Sequence, residues 1–218
     1  FTDIRFLPDD QWELTRFSAE VQGIQVDVSG LITNASLLQP KRTAPGKKAK
    51  SPKKRRRSVE KLEMQIYDAL REFEKYEFVS PPELTVELRA DARDKGEVDA
   101  RINGWARSLK SPLGSCRDFR LNGEVKRGSE TNSPVTASLT ISATHVETQR
   151  VKSRSVNAFA FATLKPEGDW QILWNAGLKS PTLGSAVATH VGIEGTASCD
   201  AVNTNHIRAN VSLESTDL

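Results

Sequence analysis

The sequence has little of what small chemical sites are made from. Its two cysteines, Cys116 and Cys199, are too few for a disulfide framework or a zinc cage. Its three histidines, His145, His190 and His206, have no ligand-like spacing and are expected to face solvent or to be hydrogen-bonded. There is no nucleophile elbow, phosphate loop, metal spacing or paired-acid signature, so the chain reads as a non-enzyme that needs no metal and no cofactor. No apolar run approaches the roughly 18 residues of a transmembrane helix. Hydrophobic residues make up 37% of the 218, and mean hydropathy is −0.48. Both are low for a compact globule and suit sheets with one apolar and one polar face. The chain starts at Phe1 without a methionine and stops at Leu218 partway through a repeat. That is the expectation for a segment of a longer protein, in which a leader or anchor would lie outside this stretch.

Excess positive charge is confined to one place. The net charge is +3, yet residues 41–57 (KRTAPGKKAKSPKKRRR) hold ten Lys or Arg and no acid. Without those ten, 21 basic residues face 28 acidic ones, a balance of −7. Pro45, Gly46 and Pro52 break the run, and it has nothing to bury, so 39–57 is expected to be a disordered, self-repelling loop. Clustered cations suit phosphates, but the run lacks interleaved aromatics and any nucleic-acid reading motif. Lys47, Lys48, Lys53, Lys54, Arg55, Arg56 and Arg57 are therefore its candidate contacts with an anionic lipid surface, with a purely solvated loop as the plainer alternative. From Ser58 the period changes. Val59, Leu62, Ile66, Leu70 and Phe73 form one stripe of an amphipathic helix predicted over 58–78, with Ser58 as N-cap and Pro81-Pro82 as its stop.

The rest alternates between apolar and polar residues, as half-buried strands do. Ile4 and Phe6, Trp12 and Leu14, then Phe17, Ala19 and Val21, and Ile24, Val26 and Val28 predict an antiparallel meander over 1–38. Over 79–218 the alternation repeats with a period of 35 residues. Ile102, Ala137, Ile172 and Ile207 fall in one column, Ala106, Ile141, Ala176 and Val211 in another, and Leu121, Val156 and Val191 in a third. Gly114 meets Gly184 two periods on, whereas the middle period has Gln149 at that place. A fixed period of this size marks a stacked array. Two strands fit in each period, and short turns between sequential strands predict a long antiparallel up-and-down sheet. Alanine is frequent on the apolar positions (Ala100, Ala137, Ala158, Ala160, Ala162), where a filled sandwich would need larger side chains. An open trough and an ordinary filled solenoid both remain compatible with this composition. In a trough, the candidate lining is Ile102, Ala106, Leu121, Val125, Leu139, Ile141, Val156, Ala158, Ile172, Trp174, Ala176, Val191, Ile193, Ile207 and Val211.

Several stretches together resemble the AsmA-like and TamB-like cell-envelope proteins of Gram-negative bacteria, especially long planctomycete and verrucomicrobial members. They are FSAEVQGIQVDVSGLITNASLL, then a Pro- and Lys-rich gap and a helix, PPELTVELRADARDKGEVDARINGWARSL, and the units KSPLGSCRDFRLNGEV and KSPTLGSAVATHVGIEGTA. The resemblance covers nearly the whole chain, with degenerate motifs. It implies a mostly β fold, a long antiparallel sheet curled into a groove (a β-taco) with one amphipathic helix inserted. It also implies a periplasmic protein attached to the inner membrane through a segment outside this chain, carrying phospholipid acyl chains along the groove between the two membranes. The alternative function is a structural or adhesive envelope scaffold with a filled interior and unidentified protein partners.

Overall fold

In a computed structural model of the chain, the residues described are 2–21, 23–38, 75–93, 98–127, 133–199 and 207–216. They form one large sheet. Strands β1 (Thr2–Leu7), β2 (Gln11–Val21) and β3 (Ile24–Thr33) make the predicted meander, followed by a 3₁₀ turn over Ala35–Leu38. After β4 (Glu77–Phe78) and β5 (Glu83–Asp91) come four strands of 14 residues each: β6 (Val98–Ser111), β7 (Gly114–Arg127), β8 (Val135–Thr148) and β9 (Val151–Leu164). The array ends with β10 (Trp170–Lys179), a small hairpin of β11 (Thr182–Leu183) and β12 (Ala186–Val187), then β13 (His190–Cys199) and β14 (Ile207–Thr216). The order across the sheet is β1-β2-β3-β5-β6-β7-β8-β9-β10-β13-β14, with β1 and β14 at opposite edges, so the sheet is open.

Two features differ from the expected up-and-down plan. First, β3 and β5 pair parallel, Gln25 with Glu83 through Thr33 with Asp91, so the sheet is mixed. The turn rule that predicts antiparallel neighbours holds for short connections. Here the two strands are separated by residues 34–82, long enough for the crossover that parallel pairing requires. Second, Glu77 and Phe78, the last two residues of the predicted helix, are extended in β4 and pair with Lys110 and Leu109. Residues 58–74 of that helix, and the basic loop with its seven candidate lipid contacts, lie outside the described residues. No α-helix occurs among the described residues.

Local chemistry explains the turns. Between β6 and β7 the Ser111 hydroxyl accepts the Leu113 N–H (3.3 Å) and lies 3.2 Å from the Gly114 carbonyl. Gly114 sits at φ +150°, where a Cβ would stand on the Glu147 carbonyl. Between β8 and β9 the Thr148 hydroxyl accepts the N–H groups of Arg150 and Val151 at 3.3 and 2.9 Å. These are the same hydroxyl-anchored turn 37 residues apart (111 to 148), which places Gln149 opposite Pro112 rather than opposite the glycine. In β2 a bulge lies between Leu14 and Phe17, and Phe17 pairs with Val28 while Leu14 pairs with Gly30. The extra residue corrects the alternation, so Trp12, Leu14, Phe17 and Ala19 all stay on one face.

Candidate functional site: an apolar sheet face

Antiparallel and parallel partners share a face, so the register can be followed laterally from strand to strand. Three rows then cross ten strands, from β2 to β14, without a polar residue. The first is Leu14, Gly30, Leu88, Ala100, Val125, Ala137, Ala162, Ile172, Ala197, Ala209. The second is Phe17, Val28, Val86, Ile102, Gly123, Leu139, Ala160, Trp174, Gly195, Val211. The third is Ala19, Val26, Leu84, Gly104, Leu121, Ile141, Ala158, Ala176, Ile193, Leu213. Partial rows flank them: Ala143, Val156, Leu178 and Val191 on one side, and Val135, Leu164, Trp170, Cys199 and Ile207 on the other.

All fifteen candidate lining residues fall on this one face, with Ala106 joining it through its partner Phe119. The 35-residue columns do not coincide with the rows, however. Ala137 and Ile172 share a row, but Ile102 stands one row away with Leu139, Trp174 and Val211, and Ile207 one row away on the opposite side. The structural repeat is 37, 35 and 37 residues across Ala100, Ala137, Ile172 and Ala209. A slip of two residues preserves the alternation, so residues drawn from slipped columns still share a face. The lining drawn from the repeats omits the upstream part of the face, Leu14, Phe17, Val28, Val86 and Leu88. The signal for these was their own alternation, upstream of the aligned columns that start at Ile102.

Nothing described covers this face. Every pair of elements in substantial contact is a pair of hydrogen-bonded neighbours, so there is no second layer among the described residues. Among the described residues no large side chain is fully buried, and Ile207, Val211 and Leu213 at the β14 edge are 61–70% exposed. Within the face, packing is lateral. Phe6 meets Trp12 edge to face, with centroids 5.8 Å apart. The indole of Trp174 lies over Gly195, where a Cβ would come within 2.5 Å of its ring. Nine spacings of about 4.8 Å between the ten strands make the face about 43 Å long, and three to four rows make it about 20 Å wide. That is on the order of 800 Å² in projection, above the few hundred Å² that a soluble monomer usually leaves exposed as one apolar patch.

The opposite face is mostly polar, with Trp105, Phe159, Phe161 and Leu173 also on it, and is laced with exposed ion pairs. Glu124 lies 2.9 Å from Lys126 and 2.8 Å from Arg101, which together hold its carboxyl below the usual range. Asp27 is lowered by hydrogen bonds from Ser18 and then Arg16. Such solvated pairs are screened by water and contribute little to stability. Cys116 is half-buried and burial pushes its thiol up, so it is a poor nucleophile. Comparison with protein families, curated proteins and solved structures finds nothing that matches this chain.

Proposed function

We propose that this chain is a segment of an AsmA-like or TamB-like envelope protein that carries phospholipids, with acyl chains lying on the apolar face and the polar face in water. In this reading the sheet curls lengthwise into a groove, and the protein is anchored in the inner membrane by a segment outside this chain and works in the periplasm. The observation that supports it is the set of three unbroken apolar rows with nothing described above them. Transfer demands this continuity. Each buried methylene contributes about 0.8 kcal/mol, so a polar interruption would be a barrier and one unusually deep pocket a trap. The first row suits an acyl chain best. From β6 to β14 five of its seven residues are alanine, leaving a shallow lane across the strands between bulkier neighbours.

Photo-crosslinking in cells tests the reading. A photoreactive residue at Ile141, Val156 or Ile193 is expected to capture phospholipid, and one at the polar-face neighbours Thr140, Ser142 or Glu194 is not. Capture of protein partners without phospholipid from the apolar positions would overturn the conduit. It would favour the alternative, a scaffold whose face is covered by another protein layer.

A further inference from the structure

The polar face carries a depression of its own, independent of the lipid reading because it opens on the other side of the sheet. At its floor Gly177 of β10 and Gly192 of β13 are lateral partners, flanked by Asn157 of β9 and Glu214 of β14. One row along are Lys179 and His190, and one row the other way are Asn175 and Glu194. The cavity is about 490 Å³. The paired glycines create it, because any side chain there would fill it. A Cβ at Gly177 would lie 3.0 Å from His190 Cε1, and one at Gly192 3.4 Å from His190 Nε2, so the imidazole lies across the bare floor.

Several polar groups converge here without a protein partner. Among the described residues, the side chains of Asn157, Asn175, Lys179, His190 and Glu214 make no hydrogen bond or ion pair. Glu194 is held by the Ser212 hydroxyl at 3.1 Å, and Lys179 is positioned from behind by the buried Ser153, whose hydroxyl lies 2.8 Å from its carbonyl. The complement of groups narrows the ligand. Two carboxylates against one lysine disfavour a phosphate or sulfate. No three His, Cys, Asp or Glu side chains among the described residues stand close enough to share a metal. An apolar ligand would desolvate the amides and carboxylates of the wall without pairing them. What remains is a neutral molecule offering donors and acceptors in equal measure. Two amides, each both donor and acceptor, beside two carboxylate acceptors match vicinal hydroxyls. Phe159, 38% exposed, lies outside the lining but pairs with Asn175 on the same face, close enough in register to meet the C–H side of a ring that extends past Asn175.

We propose that this glycine-floored pocket binds a neutral saccharide, a pyranose seated against the His190 imidazole that lies over Gly177 and Gly192 and hydrogen-bonded by Asn157, Asn175, Glu194 and Glu214. Titration of the whole chain with maltose, cellobiose and chitobiose, followed by ligand-observed NMR and calorimetry, tests it. Saturable binding of at least one is expected, with a Kd of about 1 mM for so open a pocket. Gly192→Val, which fills the floor and suits a strand, is expected to weaken it at least about tenfold. Phe159→Ala should weaken it about two- to tenfold, and Asn122→Ala, elsewhere on the polar face, should leave it unchanged. If Gly192→Val does not fold, Phe159→Ala and Asn175→Ala decide. No binding of any of the three at about 20 mM, or binding indifferent to the pocket variants, would overturn the proposal. So would preferential binding of inorganic phosphate or ethanolamine at the same residues.

Discussion

At the scale of single residues, the strongest local feature is Asp91, where the two parallel strands end side by side. Its carboxylate accepts hydrogen bonds from the Arg93 guanidinium at 2.9 Å, the Arg93 N–H at 2.9 Å and the Asn34 amide at 2.8 Å. Arg93, and to a lesser degree Asn34, hold its pKa at about 2 against an ordinary 3.8. The folded value lies below the unfolded one, so the contribution to stability is complete above pH 4 to 5. It is lost as pH falls toward 2. The carboxyl resonance of Asp91 is expected to titrate near 2 in the wild type and to move back toward about 3.9 in Arg93→Ala. The stability gap between the wild type and Asp91→Asn should narrow over the same window. A wild-type midpoint near 4 would mean that the clamp between β3 and β5 does not form in solution. None of this is legible in the sequence, because Asn34 and Asp91 are 57 positions apart and alternation carries no information on the parallel register that joins them.

At the scale of elements, the β2 bulge shows a local rule being broken to serve the face. Thr15 lies between Leu14 and Phe17, and its hydroxyl is buried with no hydrogen-bond partner. An unpaired buried hydroxyl costs about 1 kcal/mol or more. Thr15→Val keeps the shape, removes that cost and suits a strand, so it is expected to raise Tm by about 2–4 °C for a chain of this size. A lower Tm in thermal unfolding would show that the hydroxyl is satisfied in solution. The phase change itself could be read in the sequence, since the apolar positions step from 14 to 17. The same holds for the strands and their faces, because alternation survives a two-residue error in register. Register did not survive. The 35-residue period captured the step from Ala137 to Ile172 and missed the steps of 37 on either side, and the β11–β12 hairpin inserted before β13 further obscures the pattern. The paired glycines of the polar pocket were hidden for the same reason: Gly177 and Gly192 become neighbours only once β10 and β13 are laid in register.

At the scale of the whole molecule, the two faces must be told apart by consequence as well as by composition. Leu139 and Thr140 are consecutive in β8, with Leu139 in the middle row of the apolar face and Thr140 on the polar face. Leu139 is 38% exposed and shares its row with Gly123 and Ala160, so a lysine there meets no steric obstacle. Both Leu139→Lys and Thr140→Lys should therefore fold, the first losing about 1 kcal/mol of lateral apolar contact and the second within about 0.5 kcal/mol of the wild type. Their effects on an apolar ligand should differ sharply. An ammonium in the middle of the lane must be desolvated by any acyl chain lying across it, a cost of several kcal/mol unless the chain detours. Retention of a pyrene-labelled phosphatidylcholine by the protein, read by fluorescence after gel filtration, is expected to fall at least about tenfold in Leu139→Lys. In Thr140→Lys it should change less than about twofold. Equal losses in both variants would mean that lipid adheres through charge or through the sheet edges. The continuity of the three rows would then be a feature of folding or of protein contact, with no bearing on transport.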